Sequence, residues 1–228
     1  TAMNPVQRVG KQIAEQIQAH EKVSDDDART RVIDLLHRVG IPQAETRVDS
    51  YPHEFSGGMR QRAMIAMALS CDPQVLIADE PTTALDVTIQ AQILDQIKLL
   101  SERTSAAVII VTHDLGVVAD MADRILVMYA GRVVEAGTAE EIFYNPQHPY
   151  TWGLLGSVTR VDQELTDRLP AIKGLPPSLL DLPAGCSFAP RCPHRHDRCA
   201  EMPPLEARAG GTHLDRDRKS TRLNSSHT

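Results

Sequence analysis

The sequence predicts an α/β protein with a helical front, a parallel-sheet core and a loop-rich tail, and three observations carry that prediction. Apolar residues recur at helical spacing through roughly the first 70 positions. From Val75 onward, short apolar runs alternate with helical stretches, the pattern of parallel βαβ units. Eight of the fifteen prolines then fall between Pro170 and Pro204, where regular structure should give way to turns.

Taken in order, residues 7–19 carry Val9, Ile13 and Ile17 at four-residue steps, and residues 25–39 carry Val32, Leu35, Leu36 and Val39 on one face. Both read as amphipathic helices; Ser24 or Asp25 caps the second, and Gly40 with Pro42 stops it. A third helix runs through the apolar-rich stretch from Met59 to Leu69 and ends at Asp72-Pro73. Its start is Phe55-Ser56-Gly57-Gly58-Met59, in which Ser56 is a natural N-cap. The two glycines allow backbone N–H groups to approach an anion where the helix dipole favours negative charge. Alone, Ser-Gly-Gly also suits a plain turn.

Val75 to Ala78 reads as a buried parallel strand that delivers Asp79 and Glu80 at its carboxyl edge. Acids so placed can serve a Mg²⁺ ion and orient or deprotonate an attacking water; the plainer alternative is that they cap a turn before Pro81. Ile89, Ile93, Ile97 and Leu100 give the next helix its apolar face. Val108 to Val111 is a second buried-strand pattern, followed by Thr112 and His113, and a histidine there can donate to a phosphate oxygen. Arg124 to Tyr129 and Arg132 to Ala136 read as strands joined at Ala130-Gly131, and Thr138 with Glu141 forms a capping box for a short helix.

Composition limits the classes. The net charge of −6 argues against a nucleic-acid surface. No apolar run approaches the roughly 18 residues a membrane-spanning helix needs, so a membrane role would pass through partners. Cys71 reads as a small apolar residue. Cys186, Cys192 and Cys199, with five and then six residues between them, form a cluster near the end of the chain. With His194 and His196 among them, they admit an iron–sulfur cluster, a mixed Cys/His zinc site or free thiols.

The order and spacing of these pieces resemble the nucleotide-binding subunits of ABC transporters, a P-loop NTPase fold: the signature motif at Phe55 to Met59, the Walker B strand at Val75 to Glu80, the D-loop at Ala84-Leu85-Asp86 and the switch histidine at His113. The resemblance makes Asp79 the Mg²⁺ ligand, Glu80 the catalytic base and His113 the γ-phosphate contact. Ser56, Gly57, Gly58 and Met59 would bind the ATP held by a second ATPase subunit, and Asp86 would lie at the interface between the two. Met59 stands where the family more commonly has glutamine, while the phosphate-facing Ser-Gly-Gly is kept.

Tyr51-Pro52-His53-Glu54, the run from Glu80 to Thr88, Asn145-Pro146-Gln147-His148-Pro149-Tyr150-Thr151 and the cysteine-bearing tail are similar to one branch, the ATPases of dipeptide, oligopeptide and nickel importers. That likeness implies ATP and Mg²⁺ as cofactors, two transmembrane permease subunits and an extracytoplasmic binding protein as partners, and a peripheral place on the cytoplasmic face of the bacterial cell membrane. It also implies a 4Fe–4S cluster on the tail, for which four thiolates are the rule and three are present here. A soluble ABC ATPase acting in DNA repair or on ribosomes, and a non-catalytic partner completing another subunit's ATP site, are the alternatives.

The family's phosphate-cradling glycine loop lies upstream of the signature and has no counterpart in this sequence, so the expectation is an N-terminally truncated cassette, inactive alone. The stretch from Asp217 resembles a translated sequencing adapter. The expected divisions are thus a helical subdomain over 1–72, a parallel-sheet ATPase core over 73–157, a branch-specific extension over 158–216 and an adapter-derived end over 217–228.

Overall fold

The computed structural model describes residues 3–83, 86–104, 106–157, 172–207 and 211–217, with the side chains of 100 and 102–104 left aside. Ala84 and Leu85 of the expected D-loop, residues 158–171 and residues 218–228 lie outside the described residues. The chain forms two compact units, Thr1–Val117 and Val118–Thr228.

In the first unit, helices α1 (Val9–His20), α2 (Asp25–Arg38), α3 (Ala44–Arg47) and α4 (Gly57–Leu69) precede strand β1 (Val75–Asp79), helix α5 (Val87–Thr104) and strand β2 (Ala107–Val111). The apolar steps seen in sequence face inward: Val9, Ile13 and Ile17 of α1 and Val32 and Leu36 of α2 are fully buried. Ser24 caps α2 by accepting from Asp27 N–H at 3.2 Å, and three aspartates in the first turn face the positive end of the helix dipole. Gly10 lets α1 touch the α3 segment: its N–H donates to Val48 O at 2.9 Å, and a Cβ there would stand 2.5 Å from that same oxygen. No side chain fits that approach.

β1 and β2 pair in parallel, with Asp79 opposite Val111. The sequence pointed to buried strands; instead their exposure alternates, and Val75, Ile77, Ile109 and Val111 are 49–66% exposed. An apolar run that suits a sheet covered on both faces is here covered on one, in a sheet of two strands among the described residues.

Helix α6 (Leu115–Met121) leads into the second unit, where β3 (Arg124–Tyr129) and β4 (Arg132–Thr138) form a hairpin with a bulge at Val127/Met128. Helices α7 (Ala139–Tyr144) and α8 (Pro149–Gly156) follow. The capping box at the start of α7 is present: Thr138 Oγ1 accepts from Glu141 N–H at 3.2 Å, and Glu141 Oε2 accepts from Thr138 N–H at 2.8 Å. The tail is loop-rich, as its prolines suggest, and part of it pairs with β4. Strands β5 (Glu206–Ala207) and β6 (Leu214–Asp215) extend the sheet in the order β3-β4-β6-β5. Phe188 enters the core beside Val127, Tyr129, Val134 and Ile142. Two forces bring it back: the open edge of β4 has backbone groups to pair, and Phe188 meets Tyr129 and Tyr150 edge-on at centroid distances of 5.3 and 5.5 Å.

Candidate functional site

The signature segment is shaped by its own cap. Ser56 sits just before α4 in extended backbone, and its Oγ accepts from Met59 N–H at 3.3 Å. Arg60 secures the approach by donating to Phe55 O at 2.7 Å. Gly58 faces α5: a Cβ there would lie 3.0 Å from Ile89 Cγ2. Asp86 caps α5, its Oδ1 accepting from Ile89 N–H at 2.9 Å.

The acidic pair lies at the carboxyl end of β1. Asp79 closes the strand and is exposed. Glu80 breaks away in left-handed backbone, φ 45°, while its N–H still donates to Val111 O at 2.8 Å. That kink turns the Glu80 carboxylate toward the end of β2. Its Oε1 lies 3.1 Å from His113 Nδ1, and its Oε2 accepts from Thr83 Oγ1 at 2.9 Å. These two hydrogen bonds, Thr83's first and His113's second, hold the carboxyl below the usual glutamate range. His113 itself is 80% exposed and Glu80 47%, so both can meet a ligand from solvent.

Asp79, Glu80 and His113, taken from separate parts of the sequence, therefore stand together at one sheet edge. Three neighbours escaped the sequence reading. Thr83 lay inside a quoted motif without a role, and Asp114 carried a usable signal, an acid just before a Leu-Gly-Val-Val helix start. Asp114 Oδ1 accepts from Gly116 N–H at 2.8 Å and Oδ2 from Gln90 Nε2 at 3.0 Å. Gln90 carried no sequence signal at all.

In the second unit Cys186, Cys192 and Cys199 border one small cavity of about 20 Å³ with His194. Burial pushes the Cys186 thiol up and the Cys192 thiol to about 11, so both are held as thiols. Among the described residues no group of three or more His, Cys, Asp or Glu is gathered closely enough for a metal ion. Three cysteines that are not gathered do not fit a 4Fe–4S cluster, which takes four thiolates as a rule.

A parallel strand ending in two acids, a capped Ser-Gly-Gly helix before it and a histidine beyond the next strand define an ATP-binding cassette. Solved relatives agree: a dimeric bacterial ABC transporter cassette, MJ0796, superposes with TM-score 0.52 at 28% identity over 60% of this chain and 58% of its own. The post-hydrolysis dimer of the same cassette bound to ADP and Pi gives TM-score 0.52 at 27% identity over the same shares. The ABC transporter family model matches residues 4–83. The chain belongs to the ABC transporter ATP-binding proteins.

Within them it belongs to the oligopeptide/dipeptide branch, because the model for the C-terminal region of oligopeptide/dipeptide transporters matches residues 134–199. The oligopeptide transport ATP-binding protein OppD of Bacillus subtilis is 53% identical over 93% of this chain, and the dipeptide transport ATP-binding protein DppD of the same organism 54% over 93%. OppD of Salmonella typhimurium is 53% identical over 92%. The chain spans 60%, 63% and 63% of the length of these three relatives. Among the described residues no helix is long and apolar enough to cross a membrane.

Proposed function

We propose that this chain is the signature-to-tail portion of the subunit that hydrolyses ATP to power an importer of di- or oligopeptides. The observation that carries the proposal is the meeting of Glu80 and His113 at 3.1 Å beside Asp79, at the carboxyl end of a parallel strand pair. Phosphoryl transfer needs little covalent help from protein; it needs a positioned nucleophile and charge stabilisation. Asp79 supplies a hard, exposed oxygen donor of the kind Mg²⁺ prefers. A Mg²⁺ ion held there would supply neutralisation of phosphate charge.

Glu80, kept ionised by Thr83 and His113, orients the attacking water and takes its proton. His113 offers its ring to a γ-phosphate oxygen. Ser56, Gly57, Gly58 and Met59 open α4 with backbone donors and a helix dipole suited to the phosphates of ATP held by a second ATPase subunit. Asp86 belongs to the same interface. Residues 1–72 act as the helical subdomain that presents the signature, and residues 73–157 contain the hydrolytic edge.

The partners are then a second ATPase subunit, as a copy or a paralogue, two permease subunits and an extracytoplasmic binding protein, with this subunit peripheral on the cytoplasmic face. The tail match favours this reading over a soluble ABC ATPase. No step passes through the cysteines. The test is Glu80→Gln in the full-length protein assembled with its membrane partners: hydrolysis should fall by about 100-fold or more while ATP binding persists. Hydrolysis at the unmodified rate would remove Glu80 from the mechanism.

A further inference from the structure

His113 is 80% exposed, so burial does not fix it, and its aim depends on the loop that carries it. That loop is knit by Asp114. The Asp114 N–H donates to Thr112 Oγ1 at 3.0 Å. Its Oδ1 accepts from the N–H groups of Gly116 and Val117 at 2.8 and 3.4 Å. The remaining oxygen, Oδ2, accepts from Gln90 Nε2 at 3.0 Å. Gln90 stands in the first turn of α5, where its own N–H donates to Asp86 O at 2.8 Å. Ile89, its neighbour, is tied to Asp86 by its N–H and lies against Gly58 of the signature helix.

From this we infer that Gln90 is a positioning residue, whose side-chain amide holds the His113 loop to the first turn of α5 and so sets His113 over Glu80. The contact is charge-assisted, an amide donor on a carboxylate, and belongs to the stronger class of hydrogen bond. It is exposed and contributes little to fold stability, yet sub-ångström aim is what catalytic geometry requires. The first turn of α5 is thus held by Asp86, touched by Gly58 and tied to the His113 loop. One short segment joins the signature, which would serve a partner's ATP, to the edge that would serve the chain's own. The inference rests on the proposed roles of Glu80 and His113.

The test is steady-state ATP hydrolysis by the full-length protein assembled with its membrane partners. Gln90→Leu keeps the volume and removes the donor. Gln90→Glu keeps the shape and helix preference but presents a carboxylate to Asp114. Gln90→Lys restores a donor. The expected result is a kcat about 10-fold lower in the Leu and Glu variants with the KM for ATP unchanged, and recovery of most of the activity in the Lys variant. Should the Leu variant fail to assemble, the isosteric Glu variant decides.

Wild-type kcat in both the Leu and Glu variants, a raised KM at wild-type kcat, or equal losses in all three would overturn the inference. Glu80→Gln, measured alongside, separates the two levels. If it hydrolyses normally, the hydrolytic reading falls and this inference with it. If it is inert while the Gln90 variants are normal, the positioning role alone is wrong.

Discussion

Gly58 of α4 and Ile89 of α5 meet so closely that a Cβ on the glycine would stand 3.0 Å from Ile89 Cγ2. The second glycine of the signature is therefore a packing residue as well as a candidate phosphate contact. Gly58→Ala should destabilise the first unit by about 1–3 kcal/mol through overpacking, despite alanine's better helix propensity. Adding Ile89→Ala opens the space, so a double-mutant cycle in urea should show favourable coupling of about 1 kcal/mol. Additive losses would mean that the two side chains do not share that volume.

Glu80 should titrate below an ordinary glutamate because Thr83 and then His113 hydrogen-bond its ionised form. The folded pKa lies below the unfolded one, so the contribution of this group to stability is present above the usual glutamate value. It is lost as pH falls through the lowered folded value. A carboxyl ¹³C titration reads it directly, and Thr83→Ala should move the midpoint up toward the ordinary value. A midpoint insensitive to Thr83 would contradict the observed contact.

In the second unit Glu135 is wholly buried. It accepts from the N–H groups of Gln147 and His148 at 2.6 and 3.0 Å, and its Oε1 lies 2.7 Å from His213 Nε2. This carboxylate joins β4, the approach to α8 and the segment entering β6. Glu135→Ala leaves one buried and one partly buried N–H group and a buried imidazole without that partner and should cost about 3–5 kcal/mol in urea unfolding. A loss under about 1 kcal/mol would show that the network is not holding the tail.

Cys192, with its thiol pushed to about 11 by burial, should carry on the order of 100-fold less thiolate at pH 8 than a cysteine of ordinary pKa. Iodoacetamide should label it correspondingly slowly in the folded protein and at the ordinary rate in urea. Rapid labelling when folded would place Cys192 outside the packed environment described above.

Helix starts were legible because their causes are local. Ser24, Ser56 and Thr138 each accept from a backbone N–H three residues on, a distance the chain spans without help from any fold. The apolar steps of α1 and α2 were legible for the same reason, since one turn of helix brings them together. Asp79, Glu80 and His113 could be picked out as candidates because each ends or follows an apolar run, but their convergence required the parallel register that sets Asp79 against Val111.

The remaining features depend on contacts between distant parts of the chain. Glu80 meets His113 across 33 positions, Gln90 meets Asp114 across 24 and Glu135 meets His213 across 78. Such pairings are decided by how strands register and helices cross, and residue type alone does not rank one distant partner above another. The half-open faces of β1 and β2 and the return of the tail to the β4 edge are of the same kind. Whether an apolar run is covered, and which edge a late strand finds, follows from what packs around it. Residues 1–117 thus displayed their chemistry in the order of their amino acids. The aim of that chemistry, the tie from Gln90 to the His113 loop included, came from the fold.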